Sequence, residues 1–133
     1  MLIYCDSVIL IYYLDATGSF HIRARNRLMA LCAAGDQIAI SDLTRLECRV
    51  RPVRLGDVIG LARYDNFFTL PDVCRVPLTT AVFDRATNVR ALYGYKTADA
   101  IHLAAAVEAA CDVFLTNDTR LSGFPDLRVE VLP

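Results

Sequence analysis

The sequence predicts an α/β fold: a central, mainly parallel sheet of four to five strands, covered by helices on both faces. Two observations carry the prediction. Short apolar runs alternate with longer helix-patterned segments along the whole chain, and such alternation produces right-handed crossovers between parallel strands. Hydrophobic residues also make up 55% of the 133 positions, enough to bury such a sheet and too many for a disordered chain. The length suits a single domain spanning residues 1–133, and no internal repeat, linker or low-complexity segment divides it.

In order along the chain, Leu2-Ile3-Tyr4-Cys5 reads as a buried strand closed by Asp6-Ser7, and the uniformly apolar Val8 to Leu14 as a short buried helix. After a loop with Gly18, His21 to Ala34 reads as an amphipathic helix, with Leu28, Met29, Leu31 and Cys32 inward and Gly35 as its stop. Gln37 to Ser41 is the second strand, and Ser41 or Asp42 caps the helix that carries Glu47, whose smooth run Pro52 limits. Val58 to Phe68 is a further helix with the stripe Leu61, Tyr64 and Phe68, followed by a strand at Val73 to Val76. Thr79 or Thr80 opens a helix that runs through Tyr93 to Gly94. Thr97 reads as the N-cap of the next helix, with Asp99 in its first turn, where the dipole favours a carboxylate. That helix is apolar nearly all round, so it is expected to be buried. Asp112 to Thr116 and Leu127 to Val131 supply the last strands.

Composition excludes several function classes. No apolar run reaches transmembrane length and no basic segment precedes a hydrophobic one, so the expectation is a cytoplasmic protein without membrane contact. The five cysteines are odd in number, widely spaced and without a C-x-x-C pair, which argues against zinc and thioredoxin chemistry and for free thiols in a reducing compartment. Net charge is −1, so no global field draws in nucleic acid. Locally, Arg45, Arg49, Arg51 and Arg54 crowd one segment; they are expected to hold phosphate or an acidic partner, against the alternative of a solvated helix face. Tyr12, Tyr13, Phe67, Phe68 and Tyr93 suggest an aromatic homodimer surface, although all five fit a monomer core as well.

The chemistry is expected from acids. Asp6 and Asp118 end strands whose carboxyl ends border one crevice, the place where open α/β sheets bind ligands. Asp99 opens a helix, and Glu47 lies about one turn into another. Three of the four have a bland alternative: Asp99 as a first-turn acid, Asp118 as a turn residue, Glu47 as the i,i+4 partner of Arg51. Together they need a cation between them, and hard oxygen ligands suit Mg²⁺ or Mn²⁺, with Asp6, Asp99 and Asp118 as the metal-facing set. Ser7, Thr116 and Asn117 are polar neighbours placed to orient the carboxylates or to bind metal-held water. His102, one turn after Asp99, is placed either to face the crevice or, as preferred for a lone histidine in an apolar helix, to serve structure, and His21 is read as surface. No P-loop, G-x-G-x-x-G or G-x-S-x-G is present.

Asp6-Ser7, Glu47, the run Thr97-Ala98-Asp99-Ala100-Ile101-His102-Leu103-Ala104-Ala105-Ala106 and Leu115-Thr116-Asn117-Asp118 resemble PIN-domain nucleases, and most of all VapC toxins of toxin–antitoxin pairs. The resemblance covers essentially the whole chain, apart from Arg49 to Phe68, which matches no motif. It implies an α/β/α sandwich and a Mg²⁺- or Mn²⁺-dependent endoribonuclease with Asp6, Glu47, Asp99 and Asp118 as its acidic site and Thr116 in support. It also implies a homodimer neutralised by a small antitoxin. The competing reading is a non-catalytic RNA- or protein-binding domain of the same fold, which is expected to lack one or more of the four acids. A phosphoryl-receiver domain wants an acidic pair after the first strand and a lysine after the last; Asp6 stands alone, and no lysine follows Lys96.

Overall fold

The computed structural model describes residues 1–133. Its elements are β1 (Leu2–Cys5), α1 (Ser7–Leu14), α2 (Ser19–Ala33), β2 (Gln37–Ser41), α3 (Asp42–Leu55), α4 (Val58–Phe68), β3 (Val73–Val76), α5 (Thr80–Tyr93), α6 (Thr97–Glu108), β4 (Val113–Thr116) and β5 (Arg128–Val131), with a 3₁₀ turn over Thr119–Gly123. The five strands lie in the order β3-β2-β1-β4-β5, and every pairing is parallel. The sheet is therefore wholly rather than mainly parallel.

The period of two along each strand sorts the core into two layers. Ile3, Cys5, Ile38, Ile40, Val113 and Leu115 face Leu10, Leu28, Leu31, Cys48, Tyr64 and Phe68 from the first four helices. Tyr4, Ala39 and Phe114 face Val82, Ala86 and Val89 of α5 and Leu103, Ala104 and Ala106 of α6. The buried alanines of α6 let the helix backbone approach the sheet closely, and all of Ala104, Ala105 and Ala106 are fully buried. The two layers of helices on one sheet make an α/β/α sandwich.

Several boundaries and orientations differ from expectation. Thr97 is the first residue inside α6 and Lys96 stands at the N-cap, with no side-chain capping bond; the extended Lys96 backbone starts the helix one residue early. Ser7 begins α1 directly after the strand, and Pro52 sits buried within α3, which continues to Leu55 before Gly56 turns left-handed at φ 64°. Met29 and Cys32 are exposed, because the inward stripe of α2 is Ala24, Leu28 and Leu31. Phe67 and Phe68 belong to the core and Tyr12 and Tyr13 pack against it, which leaves Tyr93 as the one exposed aromatic of the five expected at a dimer surface. The exposed apolar residues lie elsewhere, at Leu46, Val50 and Val53 on α3 and Val58 and Ile59 on α4. No helix is long and apolar enough to cross a membrane.

Candidate active site

β1 and β4 are neighbours, but the chain leaves β1 toward β2 on one side and leaves β4 toward β5 on the other. That divergence opens a crevice at their carboxyl ends. Asp6 follows β1 directly, and its backbone N–H donates to Leu115 O at 2.9 Å, so the β1–β4 pairing continues to the lip of the crevice. Asp6 shares the strand face of Tyr4, as Thr116 shares that of Phe114. Both therefore point toward the α6 side, where Asp99 enters from the first turn of that helix. Thr116 Oγ1 donates to Asp6 Oδ2 (2.7 Å) and accepts the Asp118 backbone N–H (3.1 Å), joining the two strand-end acids through one hydroxyl.

Glu47 approaches from the opposite layer, on α3. Its Oε1 accepts from Ser7 Oγ (2.8 Å) and is hydrogen-bonded to His102 Nε2 (2.5 Å). His102, 1% exposed, is bonded through Nδ1 to Tyr4 Oη (2.7 Å), and the Tyr4 hydroxyl donates to Ser41 Oγ (2.8 Å). A buried polar chain thus runs from the end of β2, through β1 and α6, to the Glu47 carboxylate. The ion pair with Arg51 that sequence spacing allowed is not formed. Asn117 donates to the Tyr12 hydroxyl (3.1 Å) and ties the crevice lip to α1.

Asp6, Ser7, Glu47, Asp99, Asn117 and Asp118 line one cleft of about 690 Å³, with an apolar margin of Val8, Ile11, Leu46 and Val50. Charge is costly there. Burial pushes the Asp6 carboxyl above its ordinary range, and burial followed by the charges of Asp6 and Asp118 does the same to Asp99. Burial also works against Glu47, but the His102 and Ser7 hydrogen bonds outweigh it and hold that carboxyl below its usual range. Asp118 is lowered by the hydrogen-bonded Arg120 guanidinium. These are the signs of a carboxylate set that gains from a cation.

The donor set is all hard oxygen and fits Mg²⁺ or Mn²⁺ in chemistry. As placed, however, no three His, Cys, Asp or Glu side chains close tightly enough to grip an ion, and Asp118 is turned onto Arg120. The thiols take no part: burial raises Cys48 and Cys111 to about 12 and Cys5 further still.

The predicted arginines are not brought into the cleft lining. Arg45 donates to Asp42 (3.1 Å), and Arg51 borders a separate hollow with Leu14, Asp15 and Tyr64. Arg49 Nε lies 3.0 Å from Asp65 Oδ1 on α4, in an orientation too poor for a hydrogen bond, so charge alone holds that pair. Three residues that sequence reasoning did not place at the acids are Tyr4, Ser41 and Arg120. The strand parity of Tyr4 with Asp6 carries a signal for the first, and Ser41 and Arg120 carry none at the level of spacing.

The fold and site define the class: a wholly parallel, doubly wound sheet with acids gathered at its switch point. The family model described as PIN domain matches residues 3–127, and the chain belongs to that family. Among solved structures, VapBC2 from Rickettsia felis bound to a promoter DNA fragment superposes with a TM-score of 0.82 at 16% identity, over 100% of both chains. A toxin–antitoxin complex from Klebsiella pneumoniae gives 0.74 at 24%, over 98% of this chain and 97% of that one. VapC20 of Mycobacterium tuberculosis, a sarcin–ricin loop cleaving toxin, gives 0.72 at 16%, over 95% and 98%. At these identities the likeness establishes the fold. A comparison with curated protein sequences gave no match.

Proposed function

We propose that the chain is a VapC-type toxin, a metal-dependent endoribonuclease that hydrolyses RNA phosphodiester bonds. One observation carries the reading: four acids from four separate parts of the chain, Asp6, Glu47, Asp99 and Asp118, line a single cleft at the switch point of the sheet. Glu47 and Asp118 have partners in His102 and Arg120, whereas burial first, with Glu47 beside Asp6 and with Asp6 and Asp118 beside Asp99, keeps Asp6 and Asp99 above their ordinary range. All four acids are present, which favours the enzyme over the non-catalytic domain.

Asp6, Asp99 and Asp118 would hold Mg²⁺ or Mn²⁺, which when bound activates water and offsets charge on a phosphate under in-line attack. Thr116 fixes the Asp6 carboxylate through Oδ2. Glu47 stays ionised because Ser7 and His102 donate to its Oε1; its Oε2 makes no hydrogen bond within the chain and is the atom that accepts a proton from attacking water. α3 forms one wall of the cleft and carries Arg45, Arg49 and Arg51 beyond it, where we assign them to the RNA backbone. The likeness to a sarcin–ricin loop cleaving toxin supports RNA as the substrate class.

The partner in this reading is a small antitoxin, supported by the toxin–antitoxin complex of the same fold. An acidic cleft bordered by exposed Leu46 and Val50 suits a tail that is both apolar and basic. A homodimer and a cytoplasmic location belong to the same proposal. The test is cleavage of total RNA by the purified chain with Mn²⁺ or Mg²⁺, with EDTA, and with Asp6→Asn or Glu47→Gln. Cleavage that needs the ion and both acids supports the function; equal cleavage by parent and variants refutes it.

A further inference from the structure

The 3₁₀ turn after β4 places a cation directly on the acids. Asp118 caps this turn by accepting the Arg120 backbone N–H at 3.0 Å. The Arg120 guanidinium then folds back on the same carboxylate. Nε donates to Oδ1 (3.0 Å) and Oδ2 (3.1 Å), and Nη2 to Oδ2 (2.5 Å). Nη2 also stands 4.0 Å from Asp99 Oδ2. Both oxygens of Asp118 are therefore engaged, and the guanidinium sits between two of the three acids assigned to the divalent ion. Lys96 is the other cation whose charge reaches Asp118, but it makes no ion pair there.

We propose that Arg120 is the internal counter-ion of this site: it competes with the divalent cation for Asp118 and, once displaced, turns to the phosphate of the bound nucleotide. The inference rests on the reading of the acids as a metal site. A hard cation needs an Asp118 oxygen free to coordinate it, and both oxygens now accept from N–H groups of Arg120. The side chain is 62% exposed, so it swings away without disturbing the core. Its backbone stays anchored to Asp118, and the displaced guanidinium therefore remains beside the cleft. There it meets the group its planar fork matches best, a phosphate drawn in by the ion. The arrangement keeps like charges apart before the ion arrives and supplies a phosphate donor afterwards.

The test is calorimetric titration of Mn²⁺ into the full-length parent, Arg120→Gln and Arg128→Gln. Arg128 lies at the start of β5, at the opposite end of the sheet, so its variant controls for loss of one positive charge. Arg120→Gln is expected to bind Mn²⁺ about 3- to 5-fold more tightly, the factor one exposed ion pair supports. Arg128→Gln is expected to match the parent. Equal affinities in parent and Arg120→Gln overturn the competition alone; absence of Mn²⁺ binding by all three proteins overturns the metal reading with it. The Mn²⁺-loaded proteins are then titrated with adenosine 5′-monophosphate. Weaker binding by Arg120→Gln, with no difference between the metal-free proteins, supports the phosphate contact, and equal binding in the loaded proteins overturns it.

Discussion

Replacing Asp99 by Asn separates a metal-site acid from a helix-start acid. Asn keeps the size and the position in the first turn of α6 but removes one charge. If Asp99 only served the helix dipole, its loss would cost about 0.3–1 kcal/mol. For a domain of this size that lowers the melting temperature by about 1–5 °C. The structure argues the other way. Asp99 is 21% exposed, and burial together with the charges of Asp6 and Asp118 raises its carboxyl above the ordinary range. A raised folded-state pKa means that protonation favours the fold. That favourable contribution is complete below the unfolded pKa and lost as pH rises through the folded one. At neutral pH the ionised side chain is therefore a burden on the metal-free protein. Asp99→Asn is expected to melt at the parental temperature or above it without metal at pH 7, and to lose that advantage as pH falls through the carboxylate range. With Mg²⁺ at about tenfold its Kd the parent gains about 1.4 kcal/mol, and the variant gains less because its site has lost a ligand. Paired melting curves with and without Mg²⁺, at pH 7 and pH 4, read all of this. A variant that melts below the parent at pH 7 without metal, with an unchanged Mg²⁺ response, refutes the reasoning.

Other expectations follow from the same geometry. His102→Leu removes the buried partner of both Tyr4 and Glu47; RNA cleavage is expected to fall about 10- to 100-fold, with partial recovery in His102→Gln, and equal rates in the two variants would detach Glu47 from this network. Arg49→Ala with Arg51→Ala is expected to weaken RNA binding and flatten its salt dependence; an unchanged slope removes α3 from the RNA path. Gly94 ends α5 at φ +70°, so Gly94→Ala should cost about 1 kcal/mol in urea unfolding, and a neutral result would mean the helix end relaxes. Light scattering at micromolar concentration should return about twice 14.8 kDa, and the monomer mass would exclude the homodimer.

Periodicity made the five strands and the helices between them readable, because each short apolar run is flanked by residues that cannot continue it. Gly35 and Gly94 follow helix ends in left-handed backbone, and they are as visible in the sequence as in the structure. Exposure was harder. Phe67 and Phe68 look like spare aromatic surface until the sheet face beneath α4 is known, and Met29 looks buried until α2 is seen to turn its Leu28 and Leu31 face inward. At the site, the acids were legible because strand ends and helix starts have fixed places in a parallel sheet. The bond between Glu47 and His102 was not, since it joins opposite layers around the end of the sheet across 55 residues. Nor was the grip of Arg120 on Asp118, because an i,i+2 pair is in reach only through the tight turn that follows β4.

The central position of the first strand sets a timetable for the cleft. Asp6 lies near the N-terminus, yet the hydroxyl that fixes its carboxylate belongs to a residue 110 positions later. β1 is flanked by β2 and β4, so its second edge stays bare until β4 has been made. Closing so long a loop comes late in folding, after the local helices and the β1–β2 crossover. A chain still emerging from the ribosome thus carries Asp6 and Glu47 without Asp99 or Asp118 beside them. The acids converge only when β4 takes its place against β1, so assembly of the cleft waits on the longest-range strand pairing in the sheet.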